Sequence, residues 1–228
     1  MKKARMLIIV AATLSAILAA KSNGAVFQVT TAAGLQTALD TARTNDENDT
    51  IELLATTYTT SGSPFSYGTA SNDNHSVTLS GGWNAKFTAQ TDDPYETQLD
   101  GDDSNPVLQI LADAANVDIT FTIENLTILD GFTNSSDPCG AGIEAYTGTT
   151  GQGSIHLTIR NCLIKDNFAA NNLLGGAIYS NCNLEVYDSR FLSNSASNGG
   201  ALYITYDSDE GQTASPIISN CYFEDKLW

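Results

Sequence analysis

The sequence has few basic residues and almost no histidine. Ten Lys and Arg stand against 26 Asp and Glu, which gives a formal net charge of −16. A surface this acidic repels nucleic acid and anionic membranes, and we predict that nucleic acid is not a partner. The two histidines, His75 and His156, lie in separate segments. The sequence therefore shows no Ser-His-Asp arrangement and no metal-binding His pair, and it has no phosphate-cradling Gly loop.

Long hydrophobic runs are also scarce. The one long run, residues 6–20, has fifteen uncharged and mostly apolar residues and follows basic residues at positions 2, 3 and 5. It is too short to span a bilayer comfortably, and small residues at positions 22–25 follow it directly. This order is typical of a secretory signal peptide. We predict that residues 1–25 are a signal peptide, that the protein is exported, and that the mature chain 26–228 has no transmembrane segment.

Removal of the signal peptide would make the chain still more acidic. Six basic residues then face 26 acidic ones, a net charge near −20. Such a surface suits divalent cations or a saline exterior, and solubility outside the cell is the simpler explanation. The basic and apolar regions of the signal fit a bacterial export route.

A short block recurs four times in the second half of the chain. Each copy has an apolar strand pattern, an Asn or Asp, and a second short apolar pattern, as in residues 121–128, 157–164, 184–191 and 216–223. Between the copies lie related glycine-containing motifs at 140–143, 175–178 and 199–202. Self-similarity of this kind predicts a solenoid of stacked coils.

Stacked coils would place like residues above like residues. Three inward columns are predicted: Ile123, Ile159, Val186 and Ile218; Ile128, Ile164, Phe191 and Phe223; and Ile143, Ile178 and Leu202. One turn is predicted to carry Asn125, Asn161, Asp188 and Asn220, because Asn tolerates left-handed backbone angles and can hydrogen-bond along a stack. The paired glycines allow a tight turn before the next strand. We assign these residues to the scaffold.

The four cysteines, Cys139, Cys162, Cys182 and Cys221, lack the paired spacing of a zinc site. Cys162 and Cys221 share one position of the repeated block, which Ser189 fills in the block between them. At a strand spacing of about 4.8 Å their sulfur atoms lie two rungs apart, too far for a disulfide. We predict small inward side chains here, and a disulfide elsewhere stays open.

The N-terminal part of the mature chain predicts a cap. Residues 26–30 alternate like a strand, and residues 31–42 place Leu35, Ala38, Leu39 and Ala42 on one helical face. Thr30 or Thr31 is the expected N-cap. An amphipathic helix before the first coil would cover the open end of a solenoid.

Beyond the cap, short strands separated by Gly, Asn, Asp and Ser predict an all-β structure. Aligned Asn or Asp positions are separated by 36, 27 and 32 residues. Coils with variable loops explain these intervals better than a sandwich or a propeller. We predict one domain, with a cap over 26–50 and about six coils over 51–228, the last incomplete.

Several motifs resemble known repeats. Gly175-Gly-Ala-Ile178 and Gly199-Gly-Ala-Leu202, with Phe191-Leu-Ser-Asn194, resemble the polymorphic outer-membrane protein repeats of surface proteins. Residues 35–58 resemble the opening of pectate-lyase-like β-helices. So do Leu79-Ser-Gly-Gly-Trp83, Thr91-Asp-Asp-Pro94 and Leu99-Asp-Gly101, a combination common in exported bacterial β-helix proteins.

The resemblance implies a right-handed, single-stranded parallel β-helix in a secreted, cell-surface or outer-membrane protein. No outer-membrane barrel pattern and no sorting tail follow the repeats, and the sequence stops inside a coil at Trp228. We therefore also expect a C-terminal truncation, under which the chain is an inactive fragment of a larger surface protein.

Acidic turns supply the candidate metal ligands. Asp100, Asp102 and Asp103 lie in one Gly-containing turn, and carboxylate oxygens are the ligands that Ca²⁺ prefers. The turn lacks the full EF-hand pattern, and such turns are usually solvated loops. No cofactor is required by the sequence, and Ca²⁺ is the one cofactor we consider.

Four residues are candidates for catalysis. Arg160 or Arg190 is the candidate base of a calcium-dependent polysaccharide lyase, in which calcium neutralises the substrate carboxylate. Arg160 and Glu124 hold equivalent positions in successive blocks, so a simple ion pair on the outer wall is the alternative. Asp166 and Asp188 are the best-placed carboxylate pair for a hydrolase, since both are expected near one turn in adjacent coils.

Exposed Tyr179, Tyr187 and Tyr203 are candidates for a face that contacts a sugar. Tyr179 and Tyr203 hold equivalent positions and would form a stripe on which a sugar could stack. An aromatic ladder that stabilises the sheet explains them equally well.

The sequence as a whole favours an exported, non-catalytic surface or secreted module. Polar constellations are scarce, so adhesion or glycan contact along the coil face is the first hypothesis, with a polysaccharide or a host or cell-surface ligand as partner. The alternative is a calcium-dependent polysaccharide lyase or another carbohydrate-active enzyme, which follows from the fold resemblance and the Asp turn.

Overall fold

A computed structural model describes residues 24–68, 74–112, 117–134, 140–148, 153–205 and 215–224. The predicted apolar run of the signal peptide, Cys139 and the last four residues lie outside these ranges. The described chain forms 21 strands and one helix. Every ladder between these strands is parallel, and the strands form four sheets.

The largest sheet, sheet A, has seven strands, which pair in chain order. They are β1 (Val26–Val29), β2 (Asp49–Leu54), β5 (Ser76–Trp83), β8 (Asp118–Glu124), β12 (Ser154–Arg160), β16 (Asn183–Tyr187) and β20 (Ile217–Ser219). Sheet B has six shorter strands: β3 (Thr57–Thr59), β6 (Gln98–Asp100), β9 (Thr127–Leu129), β13 (Leu163–Lys165), β17 (Arg190–Leu192) and β21 (Tyr222–Glu224).

Two further sheets complete each circuit of the chain. Sheet C contains β4 (Phe65–Gly68), β7 (Leu108–Ala112), β11 (Ile143–Thr147), β15 (Ile178–Ser180) and β19 (Leu202–Ile204). Sheet D contains β10 (Phe132–Thr133), β14 (Phe168–Leu174) and β18 (Ser195–Asn198). From β2 onward the chain visits sheet A, then B, then C, with D inserted between B and C in the later circuits. This arrangement of stacked parallel sheets is compatible with a parallel β-helix.

The strand registers confirm that the residues of the predicted columns align from strand to strand. Ile123, Ile159, Val186 and Ile218 align across sheet A, Ile128, Ile164, Phe191 and Phe223 across sheet B, and Ile143, Ile178 and Leu202 across sheet C. Phe191 and Phe223 stack with ring centroids 4.8 Å apart. Eight members of these columns lie in one continuous core. Leu202 is partly buried, and Ile218 and Phe223 are 44% and 45% exposed, so the predicted burial does not extend to the last described circuit.

The helix predicted near the N-terminus is present as α1 (Ala32–Ala42). Thr31 is its N-cap, and its side-chain oxygen accepts a hydrogen bond from the Gly34 N–H at 3.1 Å. Leu35, Ala38, Leu39 and Ala42 are buried against the core, as the helical spacing predicts. β2 begins at Asp49, two residues before the boundary between cap and coils that the sequence predicts after residue 50.

Candidate functional site

The repeated Asn and Asp residues form a turn that we call the Asn corner, consisting of Asn125, Asn161, Asp188 and Asn220. Each has a positive φ, between 47° and 56°, as predicted for this turn. The Asn161 amide donates to Asn125 Oδ1 at 2.9 Å, and the Asn220 amide donates to Asp188 Oδ1 at 2.5 Å. The corner joins sheet A to sheet B in four successive circuits.

A loop between β5 and β6, residues 84–96, lies across the Asn corner. Its carbonyl at Asp92 accepts a hydrogen bond from the Asn161 amide at 2.7 Å, and the Pro94 carbonyl accepts one from Thr127 Oγ1 at 2.8 Å. The Tyr95 hydroxyl accepts a hydrogen bond from Arg190 Nη1 at 3.0 Å. These contacts fix the exposed ring of Tyr95 beside the two sheets.

Arg190 lies between two aromatic rings on the sheet B side of the corner. Its guanidinium donates the hydrogen bond to the Tyr95 hydroxyl and lies 5.7 Å from the ring centroid of Tyr222, within cation–π range. Tyr95 is 48% exposed and Tyr222 is 51% exposed. Both rings therefore offer accessible aromatic surface next to a cation.

The sheet A side of the corner carries a second Arg–Tyr pair. Arg160, Glu185, Tyr187 and Asp188 line an open groove of about 360 Å³. The Tyr187 hydroxyl donates to Glu185 Oε2 at 3.0 Å, and this hydrogen bond to the carboxylate raises the pKa of Tyr187. We call the group Tyr95, Arg160, Tyr187, Arg190 and Tyr222 the corner surface.

Arg160 does not make the ion pair predicted as its simplest role. The register aligns it with Glu124, which confirms their equivalence. Glu124 instead accepts a hydrogen bond from Ser80 Oγ at 3.1 Å. No ion pair of Arg160 occurs in the described ranges, so its exposed guanidinium faces the groove with its donors available.

The structure does not bring Asp166 and Asp188 together. Asp188 is at the Asn corner, before β17, whereas Asp166 follows β13, at the other end of the sheet B strands. A three-residue strand separates these two turns by about 10 Å. Asp166 pairs with Lys165 at 3.2 Å, and Asp188 accepts from Asn220. The expectation that both lie at one turn is wrong, because the Asn turn and the Asp166 turn flank sheet B on opposite sides.

Tyr179 and Tyr203 align on sheet C, as the repeat predicts. Their rings are stacked, with centroids 5.9 Å apart and planes at 5°. One face of each ring is thus turned towards the other, and both side chains are half-buried. Ligand binding by these two tyrosines stays a prediction.

The Asp turn has the geometry of a solvated loop. Asp102 and Asp103 have positive φ, and the Asp102 N–H donates to Asp100 Oδ1 at 2.8 Å. Within the part of the chain that the structure describes, no three His, Cys, Asp or Glu side chains are grouped to hold a metal ion. The calcium site stays a prediction from the sequence.

Asp130 lies near this turn, in the next circuit. It directly follows β9, the strand that pairs with β6. Burial raises the pKa of its carboxyl, and the neighbouring Asp103, Asp100 and Asp166 raise it further, against the opposing effect of Lys165. A raised carboxyl pKa means that ionisation costs the folded state free energy. This cost appears as pH rises through the ordinary pKa and persists above the folded pKa.

We expect Asp130→Asn to raise the melting temperature at pH 7 by about 2 °C. Asn keeps the shape and tolerates the positive φ of 51° at this position. Below pH 3.8, the ordinary value for Asp, the gain should vanish because both side chains are neutral. Thermal melts over this pH range are the measurement. Asp46→Asn, another positive-φ position but an exposed one, is the control, and an equal gain there would contradict the explanation.

The described cysteines behave as core residues. Cys162, Cys182 and Cys221 are free thiols, and Ser189 Oγ accepts a hydrogen bond from the Cys162 N–H at 3.1 Å. This confirms the predicted column of small side chains and the lack of a bond between Cys162 and Cys221. Burial raises the pKa of the Cys162 and Cys182 thiols to about 12, so neither is a reactive nucleophile.

Two members of the corner surface were not predicted from the sequence. Tyr222 could have been found from its register with Arg190 in the repeat. Tyr95 could not, because it lies in the loop 84–96, which has no counterpart in the repeated block.

Comparisons with known proteins add no relative. No protein-family model matches this chain, and no match was found among curated proteins or among solved structures. Within the described ranges, no helix has both the length and the apolar character needed to cross a membrane.

Proposed function

We propose that this protein is an exported, non-catalytic β-helix of right-handed coil, with α1 as its N-terminal cap, whose outer wall contacts polysaccharide or cell-surface glycan. The parallel sheets are observed, whereas the right-handed coil and the capping role of α1 are inferred. Export is inferred from the signal-peptide pattern of residues 1–25. Crossover connections between parallel strands are right-handed in nearly all proteins, which supports the handedness. The burial of one face of α1 against the core supports the cap.

The corner surface is the observation that carries the glycan proposal. Sugars bind proteins through aromatic faces that cover their C–H surfaces and through fixed hydrogen-bond donors that reach their hydroxyls. Tyr95 and Tyr222 offer exposed rings on the sheet B side of the Asn corner, and Arg190 and Arg160 offer guanidinium donors on its two sides. Arg190 is held by Tyr95 and Tyr222, so little side-chain entropy is lost on binding.

The charge pattern also supports this surface. The sequence has six basic residues beyond residue 25, and two of them lie at the Asn corner. These two cations supply guanidinium donors for ligand hydroxyls, and the carboxylates of Glu185 and Asp188 beside Arg160 supply acceptors in the same groove.

We expect Tyr95→Ala and Arg190→Ala each to weaken glycan binding about tenfold, because each removes contact surface and also releases the other side chain. The measurement is binding of the purified chain to a panel of immobilised plant, bacterial and host glycans. Arg43→Ala is the matched control, since Arg43 is a basic residue on the α1 side that pairs with Asp40. Binding that survives both corner variants but is lost with Tyr203→Ala would transfer the site to the Tyr179–Tyr203 stack, and no binding to any glycan would overturn the proposal.

A second assay separates this proposal from the calcium-dependent lyase. The chain is incubated with polygalacturonate and calcium while ultraviolet absorbance is followed for unsaturated product ends. The glycan-contact proposal expects no rise in absorbance. A rise that is lost with Arg160→Ala or Arg190→Ala, or with Asp100→Asn, would establish the lyase instead.

A further inference from the structure

The buried carboxylate of Asp49 lies beside the backbone nitrogen of Ala25, just before β1. Asp49 is 3% exposed. Its Oδ1 accepts a hydrogen bond from the Ala25 backbone N–H at 3.1 Å and another from the Asn45 amide at 3.1 Å. Burial of a carboxylate costs solvation free energy, which an opposite charge in direct contact offsets better than a neutral amide does when further hydrogen bonds complete the pair.

Ala25 is held in this place from its other side as well. Its carbonyl accepts a hydrogen bond from the Thr50 N–H at 2.9 Å, directly before β1 pairs with β2. The nitrogen of Ala25 is therefore fixed beside Asp49 by the sheet.

The residue before Ala25 has no room for a side chain. A Cβ added to Gly24 would lie 1.1 Å from the Asn48 carbonyl oxygen. Position 24 is thus compatible with glycine, or with a chain that starts one residue later. In the sequence, Ser22 and Gly24 also supply the small residues that a signal peptidase requires three positions and one position before its cleavage site.

We propose that a signal peptidase cleaves between Gly24 and Ala25, and that the new α-ammonium group of Ala25 forms an ion pair with Asp49. Water hydrolyses the peptide bond, the departing peptide keeps the Gly24 carboxylate, and the Ala25 nitrogen takes up a proton to become –NH₃⁺. The site lies one residue before the boundary drawn from the sequence. The inference depends on the export proposed above.

Processing would then strengthen the attachment of β1. In the precursor, the Ala25 nitrogen is a neutral amide with one hydrogen for Asp49. After cleavage it has three hydrogens and a positive charge at the same position. Since β1 is the edge strand of sheet A, the ion pair would hold that edge more firmly in the mature protein than in the precursor.

The ion pair is tested by a double-mutant cycle on purified protein. Two chains are released without extra residues from a fusion partner, one starting at Ala25 and one at Gly24, each also with Asp49→Asn. The chain starting at Ala25 is expected to melt about 5 °C above the other, and Asp49→Asn should abolish this difference. Equal melting temperatures, or a difference that survives Asp49→Asn, would overturn the ion pair.

The cleavage site is tested on the exported protein by N-terminal sequencing. Ala25 as the first residue supports the proposal, and export with another first residue overturns the site alone. Retention of the uncleaved chain inside the cell would count against the export on which both proposals depend, while the melting comparison would still decide the Asp49 pairing.

Discussion

Replacement of Asn167 by Leu is expected to lower the free energy of unfolding by about 4 kcal/mol. Asn167 is fully buried. Its Oδ1 accepts from the Gly131 N–H at 2.9 Å, and its Nδ2 lies 3.0 Å from the Lys165 carbonyl and 2.9 Å from Asn194 Oδ1. Leu fills a similar volume but leaves the Gly131 N–H without its partner and removes one of two hydrogen bonds at both the Lys165 carbonyl and Asn194 Oδ1. A buried group left unsatisfied costs about 1–3 kcal/mol, and each further lost hydrogen bond costs about 1 kcal/mol.

Chemical denaturation followed by circular dichroism measures this loss. Asn183→Leu is the matched control, because Asn183 is an exposed residue of β16 and its replacement should change the free energy of unfolding by no more than about 0.5 kcal/mol. If the two variants unfold at the same denaturant concentration, the buried amide network does not stabilise the stack as described.

Phe121→Ala is expected to cost about 4 kcal/mol, for a different reason. Phe121 is fully buried in β8, and its ring meets Tyr67 edge to face with centroids 5.3 Å apart. Truncation removes the apolar contacts and leaves a cavity between two sheets, which packed neighbours on parallel strands can fill only in part.

The denaturation midpoint of Phe121→Ala, compared with that of Phe168→Ala, measures the effect of burial. Phe168 is 47% exposed in β14, so its truncation leaves no enclosed cavity and should cost much less. Similar losses in both variants would contradict a core built around Phe121.

The repeated part of the fold could be predicted because its signal is local and periodic. Ile159 aligns with Ile123 and Val186 as the block predicts, since stacking like residues is the way for each circuit to bury its apolar face. The positive φ at Asn161 followed from the chemistry of Asn in turns. Sheet D was not predicted, because the strand β14 departs from the repeated block and carries an irregular register.

The candidate site could be predicted only in part. Arg160 and Arg190 were identified from the sequence as candidate bases of a lyase, and the structure places both at the Asn corner. The position of Tyr95 depends on a loop that folds back over residues far along the chain, and no periodic pattern encodes such a contact. The separation of Asp166 from Asp188 was missed because turn residues look alike in sequence on either side of a three-residue strand.

The loop 84–96 has a consequence for how the chain unfolds. In a stack where each circuit touches only its neighbours, the ends can fray one circuit at a time. This loop belongs to the circuit of β6, yet it contacts Thr127, Asn161 and Arg190, which lie one, two and three circuits further on. Hydrogen bonds from one loop thereby link four circuits directly. Unfolding of any one of these circuits breaks contacts that also hold the others, so this middle part of the stack should unfold as a single cooperative unit.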